Sequence, residues 1–536
     1  MSTITTNNNE KFDYDVIPYE SCPYAKTDIA KMAAIGKVFG MDVSNLENAR
    51  VLELGCCDGE NILPYAEKYP KGHFTGVDLG KVQIDSALAK VKELKYKNIE
   101  FKHCSISDID DSFGKFDYII CHGVFSWVPE EVREKIFDVI QKHLTPKGIA
   151  YISYNTLPGW NNVVALRDIL RYHTKHISDV QEKLTQIKLL LEFMRDSFQD
   201  VDTPYAKAML SEINMLMESK ISYFMHDHLS TNNAFFYFSQ FMEMASKYNL
   251  QYLADSSIAS MYVGNMKPEV AKVLSQIQNI VQLEQYMDYL NNRRFRCTLL
   301  CHADVALDRN INQDKLKNIS YAMNVKPFEA IGKDIVIKSK EVQNYTQPLK
   351  FCLNDNVEPT LLAENNLLAA LLMIFNQNRG VALSWQDLVK MLKEQYFEGN
   401  EELANITLNL YINQLLLKDC LEIYSENTTP RNVNKEKPCV SSLVRLQAHN
   451  HMTDWVASVN HGKLIVNHLS KLMLQHMDGS KTQAQIIDGL IKDWKDKKYT
   501  LQSSGKTVED EKEAKTILAN VLTEFVEGLA ATGNLM

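Results

Sequence analysis

Apolar and polar positions along the chain keep two different periods. Between Arg50 and Tyr154, short apolar runs alternate with longer stretches whose apolar residues recur every three or four positions. The runs predict strands over Val51 to Leu54, Phe74 to Val77, Ile99 to His103, Tyr118 to Cys121 and Ile149 to Tyr154. The periodic stretches predict helices, among them Lys81 to Lys92 and Glu130 to His143. Such alternation calls for a parallel, doubly wound α/β sheet with helices on both faces. Upstream, Thr27 is placed to cap a helix running through Ile29, Ala33 and Val38 to Gly40.

Beyond Pro158-Gly159-Trp160 the helical period takes over. Val180, Leu184, Ile187, Leu191, Met194 and Phe198 form one apolar stripe, and Leu210, Ile213, Met217, Ile221 and Phe224 another. These stripes suit an internal bundle, or a dimer seam carrying Leu184, Leu191, Ile213 and Met217. From Asn310 to Asn356 the runs are short and β-like, as at Ile335-Val336-Ile337. Glu358 to Ile423 and His461 to Leu535 then read as small, mainly helical modules with glycine turns at Arg379-Gly380 and Asp478-Gly479, a pattern that winged helices fit. The expected units are therefore 1–160, 161–305, 306–430 and 431–536.

The chemistry gathers where the first strands end. Arg50-Val51-Leu52-Glu53-Leu54-Gly55-Cys56-Cys57-Asp58-Gly59 reads as strand, tight loop and helix start, with a helical pattern opening at Asn61 and exposed amides as donors. Thr75-Gly76-Val77-Asp78 ends the next strand in a carboxylate, where a ribose diol would find acceptors. A dinucleotide fingerprint would need glycine at the positions of Gly55, Cys57 and Glu60, and only one fits. The alternative, an acid at the strand end followed by alternating glycines, is met by Glu53, Gly55 and Gly59 and broken at Cys57. That pattern resembles the first motif of class I S-adenosylmethionine-dependent methyltransferases, whose Rossmann-like sheet binds ligands beyond the carboxyl ends of its strands.

With that cofactor, Gly55 and Gly59 would admit the amino-acid half, Asp78 would bind the ribose, and Ser105 with Ile106 would hold the adenine, with Glu53, Cys56, Cys57 and Leu79 also expected to bind the cofactor. The loop Cys121-His122-Gly123-Val124-Phe125-Ser126-Trp127 would face the methyl group, with His122 and Gly123 against the cofactor. Asp78 could instead cap a helix, and Trp127 could be core. The segment Tyr14-Asp15-Val16-Ile17-Pro18-Tyr19-Glu20-Ser21-Cys22-Pro23-Tyr24 is stiff and extended, after a polar leader that reads as disordered. It is either a strap on the domain or an aromatic lid over the site.

Composition then narrows the partners. The chain has 536 residues, a formal charge of −9 and ten cysteines. So acidic a chain provides no global field for a phosphate backbone, which disfavours nucleic acid. Its longest apolar run, Leu367 to Phe375, is too short to span a bilayer, and the N-terminus lacks a basic, apolar leader. A cytoplasmic protein with reduced thiols follows.

Cys297, Cys301 and His302 lack an evident fourth ligand and read as core in helical surroundings; no metal is expected. His226-Asp227-His228 reads mainly as capping or packing. The basic cluster at Arg293, Arg294 and Arg296 has Glu284 and Asp288 within helical reach, so pairing inside the molecule is the expected use. Ser503 to Thr507 imitates a phosphate loop but lacks its first glycine and reads as a polar surface loop.

Three segments carry a wider resemblance: Leu52 to Gly59, Cys121 to Pro129, and Ser153-Tyr154-Asn155-Thr156-Leu157-Pro158-Gly159-Trp160. Together they resemble methyltransferases with an appended regulatory domain, of which Asn292 to Arg296 through Leu299 to His302 looks like the hallmark. The similarity is to the protein lysine methyltransferases of obligate intracellular bacteria that modify an outer-membrane surface protein. It implies S-adenosylmethionine as cofactor, a cofactor domain, a helical dimerisation domain and homodimer, a middle domain and a C-terminal domain, and lysine side chains of another protein as acceptor; the pattern given above makes the small C-terminal domains α+β and winged-helix-like. Because aromatic faces around the amine would favour an alkylammonium, Tyr19, Tyr24, Phe125, Trp127 and Tyr154 are expected to form the acceptor channel, with His122 a weaker candidate for proton removal. Family members usually carry glycine where this chain has Cys57, which is expected here to keep an ordinary negative φ. A methyltransferase for a small molecule or RNA base, or a non-catalytic binding protein, are the alternatives.

Overall fold

The computed structural model describes residues 21–219, 228–230, 232–329, 341–354, 356–428, 433–503 and 505–536. Tyr19, His226, Asp227 and Ile335 to Ile337 lie outside them. The predicted strands are present as β1 (Arg50–Leu54), β2 (His73–Asp78), β3 (Ile99–His103), β4 (Phe116–Cys121) and β5 (Leu144–Thr156), separated by α2 (Leu63–Lys68), α3 (Lys81–Leu94) and α4 (Glu130–His143). They pair in parallel in the order β3-β2-β1-β4-β5. Chain order reverses between β1 and β4, so their carboxyl ends open the crevice where such sheets bind ligands. Both faces of the sheet are covered, and the strands are accordingly apolar on both sides.

Helix α1 (Ile29–Val38) is buried almost all round, because it lies between the sheet and a downstream module. Ser425 donates its amide to the Ala30 carbonyl at 2.9 Å, and Lys37 Nζ donates to the Ser425 carbonyl at 3.0 Å. The N-cap is Asp28, whose Oδ1 accepts from the Ala30 amide at 2.9 Å, rather than Thr27. Thr27 is drawn instead into the network described below.

The sheet runs past the boundary expected at residue 160. Helices α5 (Asn161–Thr174), α6 (Val180–Phe198) and α7 (Pro204–Met217) leave it, and β6 (Phe235–Phe236), α8 (Phe238–Ser246), β7 (Leu250–Asp255), α9 (Ile280–Asn291) and β8 (Phe295–His302) return to it. β8 pairs antiparallel with β5, and β7 antiparallel with β8. Cys297, Cys301 and His302 thus sit on a strand of the main sheet, not on a helix. The reversal is made at Asn292, whose φ of 48° ends α9. The arginines accordingly meet their acids across a turn: fully buried Arg296 binds Asp288 through Nε at 2.7 Å and Glu284 through Nη2 at 2.8 Å. Its guanidinium lies 3.9 Å above the Phe238 ring.

Within the helical excursion, Leu166, Leu170, Ile187, Leu191, Met194, Met209, Ile213 and Leu216 share one core. Leu191 and Ile213 therefore face inward and cannot form a seam with another copy; the exposed apolar residues of α6 are Leu189 and Phe193. Farther on, strands Ser320–Ala322, Leu383–Ser384 and Glu422–Tyr424 form a small sheet beside three helices. The last module holds helices Ser442–Ala448, His468–His476, Gln483–Lys495 and Glu511–Ala531 with two short hairpins. One of those hairpins contains Ser503 and Thr507.

Candidate cofactor and acceptor site

The loop after β1 is stitched to the end of β2. The amides of Gly55 and Cys56 donate to the Val77 carbonyl at 2.8 and 3.0 Å, and the Cys57 amide donates to Asp78 Oδ2 at 2.8 Å. These three amides are thus already used within the protein. Asp78 Oδ1 accepts from the Gly80 amide at 2.7 Å, a capping contact. A carboxylate offers about four acceptor sites, so Asp78 retains capacity for a diol. Gly55 (φ 74°) and Gly59 (φ 84°) occupy left-handed backbone, and a Cβ would fall 2.4 Å from Val124 and 2.5 Å from Phe101 respectively. Packing, more than ligand approach, dictates both glycines.

Cys57 departs from the expected negative φ: its φ is 50°. The turn that lets its amide reach Asp78 requires the left-handed region, which for a side-chain-bearing residue costs about 1–2 kcal/mol. Glycine there also loses up to about 1 kcal/mol in unfolded-state entropy. Cys57→Gly is therefore expected to be as stable as the parent or more so, and to bind S-adenosylmethionine as tightly or up to about tenfold more tightly. Parallel melts and cofactor titrations check this; a less stable, weaker-binding glycine variant contradicts it.

Glu53, at the end of β1, is buried, and burial pushes its carboxyl up to about 8. Asn61 Nδ2 donates to its Oε1 at 2.7 Å, while Oε2 has no hydrogen-bond partner among the described residues. Asn61 Oδ1 in turn accepts from the Tyr24 amide at 2.9 Å, and the Thr27 hydroxyl lies 3.1 Å from it. Asn61 precedes α2, two residues before the helix begins.

On the other side of the crevice the loop after β4 places His122 against Tyr24, ring centroids 4.0 Å apart and nearly parallel. His122 Nδ1 lies 3.1 Å from both the Tyr151 hydroxyl and Ser153 Oγ, and Ser153 Oγ accepts from the Gly123 amide at 2.9 Å. Phe295 of β8 meets the His122 ring edge-on at 6.4 Å. Burial lowers His122 to about 4. So weak a base holds a proton poorly, which removes the motive for assigning it proton abstraction. A Cβ on Gly123 would meet nothing within 4 Å among the described residues, which leave space beside this loop.

Two expected channel residues point away. Phe125 is fully buried among Phe137, Phe236 and Phe241, and Tyr154 stacks on Phe241 at 4.0 Å with its hydroxyl 3.2 Å from Thr298 Oγ1. After Gly123 the loop turns inward, and the next aromatic fills the core. Trp127 is half-buried, edge-on to Trp160 at 6.3 Å. Ser105 caps a short turn, its Oγ accepting from the Ser107 amide at 3.1 Å, with half-buried Ile106 beside it. Leu79 is 72 % exposed next to Asp78. Tyr151, Ser153, Phe295 and Asn61 have no role in the site by sequence; their types are ordinary, and strand pairing brings the first three to the crevice while Asn61 arrives with the start of α2.

The orphaned Glu53 oxygen, the spare acceptors of Asp78 and the space beside Gly123 fit an S-adenosylmethionine bound across the β1/β4 switch point. The fold and these residues define a class I S-adenosylmethionine-dependent methyltransferase. Family models agree: a methyltransferase domain matches residues 45–227, a predicted methyltransferase regulatory domain 220–302, and the PKMT C-terminal winged helix domain 436–533. The chain is similar to PKMT2 from Rickettsia typhi in complex with AdoHcy, at 34% identity and a TM-score of 0.89, over 97% of this chain and 100% of that one. A second structure of that protein gives 33% identity and a TM-score of 0.87 over 96% and 100% of the two chains. An uncharacterized protein of Rickettsia prowazekii is 41% identical over 100% of this chain and 99% of its own. The chain belongs to the PKMT family of methyltransferases.

Proposed function

We propose that the protein is a protein lysine N-methyltransferase acting on lysine side chains of an outer-membrane surface protein, and that it works in the cytoplasm. The observation that carries this reading is the end-to-end match to PKMT2 of Rickettsia typhi. Among the described residues no helix is long and apolar enough to cross a membrane. When bound, S-adenosylmethionine supplies an electrophilic methyl group on a sulfonium. The chain supplies alignment and a partly dry approach for the amine. Discharging a lysine from a pKa near 10.4 at pH about 7 costs roughly 4–5 kcal/mol, which a desolvated site lowers. The paired rings of Tyr24 and His122, with Phe295 beside them, offer faces to an alkylammonium. His122, neutral at pH 7 for the reason given above, serves as a wall of that site. Glu53 and Asp78 are assigned to the cofactor's amino group and ribose, with Cys57 and Leu79 beside them and Ser105 and Ile106 at the adenine end.

Mass spectrometry of a recombinant outer-membrane protein after incubation with enzyme and S-adenosylmethionine tests the proposal. Methyl groups on lysine are expected, and Tyr24→Ala should reduce their number without abolishing cofactor binding. Turnover with small-molecule acceptors but none with protein would overturn it.

The exposed positions of α6 also support a homodimer. Leu189 and Phe193 are 54% and 67% exposed one helical turn apart, an arrangement that a second copy would cover. Light scattering is expected to give twice the chain mass, and Leu189→Glu with Phe193→Glu a soluble monomer. A monomeric parent at micromolar concentration would end this assignment.

A further inference from the structure

The C-terminal winged-helix domain does not stand apart from the cofactor crevice; two of its side chains end on residues of the β1 loop and its supports. His461 Nε2 lies 3.0 Å from Asn61 Oδ1, the atom that also accepts from the Tyr24 amide, and Asn61 is what holds Glu53. Since an amide oxygen only accepts, His461 is the donor. Its ring is buried and stacks on Tyr65 of α2 at 4.2 Å, within 3° of parallel. Burial keeps the imidazole neutral at pH 7, lowering it to about 4, and in that neutral ring the contact places the proton on Nε2.

The second contact is on the loop itself. Gln447, in the helix Ser442–Ala448, donates through Nε2 to Glu60 Oε2 at 2.6 Å. Glu60 Oε1 accepts from Lys90 Nζ at 2.6 Å, and Lys90 also binds Asp58 Oδ2 at 2.6 Å. The same Gln447 accepts from the Ala457 amide at 2.7 Å, which fixes its amide orientation from within its own domain. Glu67 of α2 adds a peripheral tie, accepting from the Ser442 amide at 2.8 Å. Asp58 and Glu60 flank Gly59, and Cys57 is held in left-handed backbone one residue earlier, so the loop's shape depends on what anchors its far end.

We propose that His461 and Gln447 are positioning residues of the cofactor site: the C-terminal domain completes the methyltransferase crevice by fixing the Asp58–Glu60 turn and, through Asn61, both Glu53 and the Tyr24 backbone. Neither residue reaches the crevice itself. Each acts through a buried acceptor that would otherwise lose a partner, and the catalytic sheet holds its binding geometry only with the last domain seated on α2 and α3.

The test uses the full chain with S-adenosylmethionine as the calorimetric probe. Gln447→Glu keeps an acceptor for the Ala457 amide but sets a carboxylate against Glu60; His461→Ala removes the donor to Asn61; His461→Gln restores one at about the same reach. The first two are expected to weaken cofactor binding about 5–30-fold, and His461→Gln to stay within about threefold of the parent. Hydrogen exchange should rise over residues 55–63 in the first two and not within the helices of the last domain. Unchanged affinity in both, or a His461→Gln variant as weak as His461→Ala, would overturn the proposal. Should His461→Ala fail to fold, the comparison of Gln447→Glu with the parent decides it by the same two readouts.

Discussion

Replacing Arg296 by alanine is expected to destabilise the catalytic unit by about 3–5 kcal/mol, because it strips buried Glu284 of its counter-ion and leaves Asp288 only Arg293, 3.8 Å away. Asp288 and Glu284 are at most 1 % exposed, and Asp255 is fully buried nearby. Desolvation already raises the carboxyls of Glu284 and Asp288 with the guanidinium in place. Without it they rise further, so the folded variant takes up protons that the unfolded chain, with ordinary carboxyls, does not. The penalty is therefore largest at neutral pH and shrinks as pH falls toward the ordinary carboxylate range. Thermal unfolding should show a fall of roughly 10 °C for this unit. Arg296→Lys should fall between, since an ammonium keeps the charge but loses the two-pronged contact to Asp288 and the stacking on Phe238. A variant within about 1 kcal/mol of the parent at pH 7 would show that the acids find other partners.

Asp78→Ala is expected to weaken S-adenosylmethionine binding by about 1.5–3 kcal/mol, or roughly 10–150-fold. Two losses contribute. The ribose would lose a charged acceptor, and the amides of Cys57 and Gly80 lose theirs, so the β1 loop keeps only its Gly55 and Cys56 ties to the Val77 carbonyl of β2. Asp78→Asn separates the two, since its single carbonyl oxygen can still serve one amide while the charge is gone; an intermediate affinity is expected. Calorimetry that returns the parental affinity for the alanine variant would reduce Asp78 to a cap of the loop.

What the amino-acid sequence determined by itself is local. Residues 99–103 and 130–143 form the expected strand and helix to the residue, Gly55, Ser105 and His122 follow the strands they were expected to follow, and Asp78 ends its own. Period and turn chemistry suffice for this, because each depends on neighbours a few positions away, and a parallel sheet then gathers the strand ends on one edge. Tertiary structure decided the rest. Whether an aromatic beside a cleft faces ligand or core depends on how the loop turns, which sent Phe125 and Tyr154 inward while Tyr24 met His122. Whether the Arg293–Arg296 cluster continued a helix or opened β8 was settled by burying Arg296 among its acids. Cys57 could be read as ordinary backbone until its amide was seen bound to a carboxylate on the next strand. The last support of the site, His461 on Asn61, joins positions 400 residues apart in the chain. No local pattern encodes such a contact: it exists only because the final domain packs on α2 and α3, where a buried acceptor needs a donor.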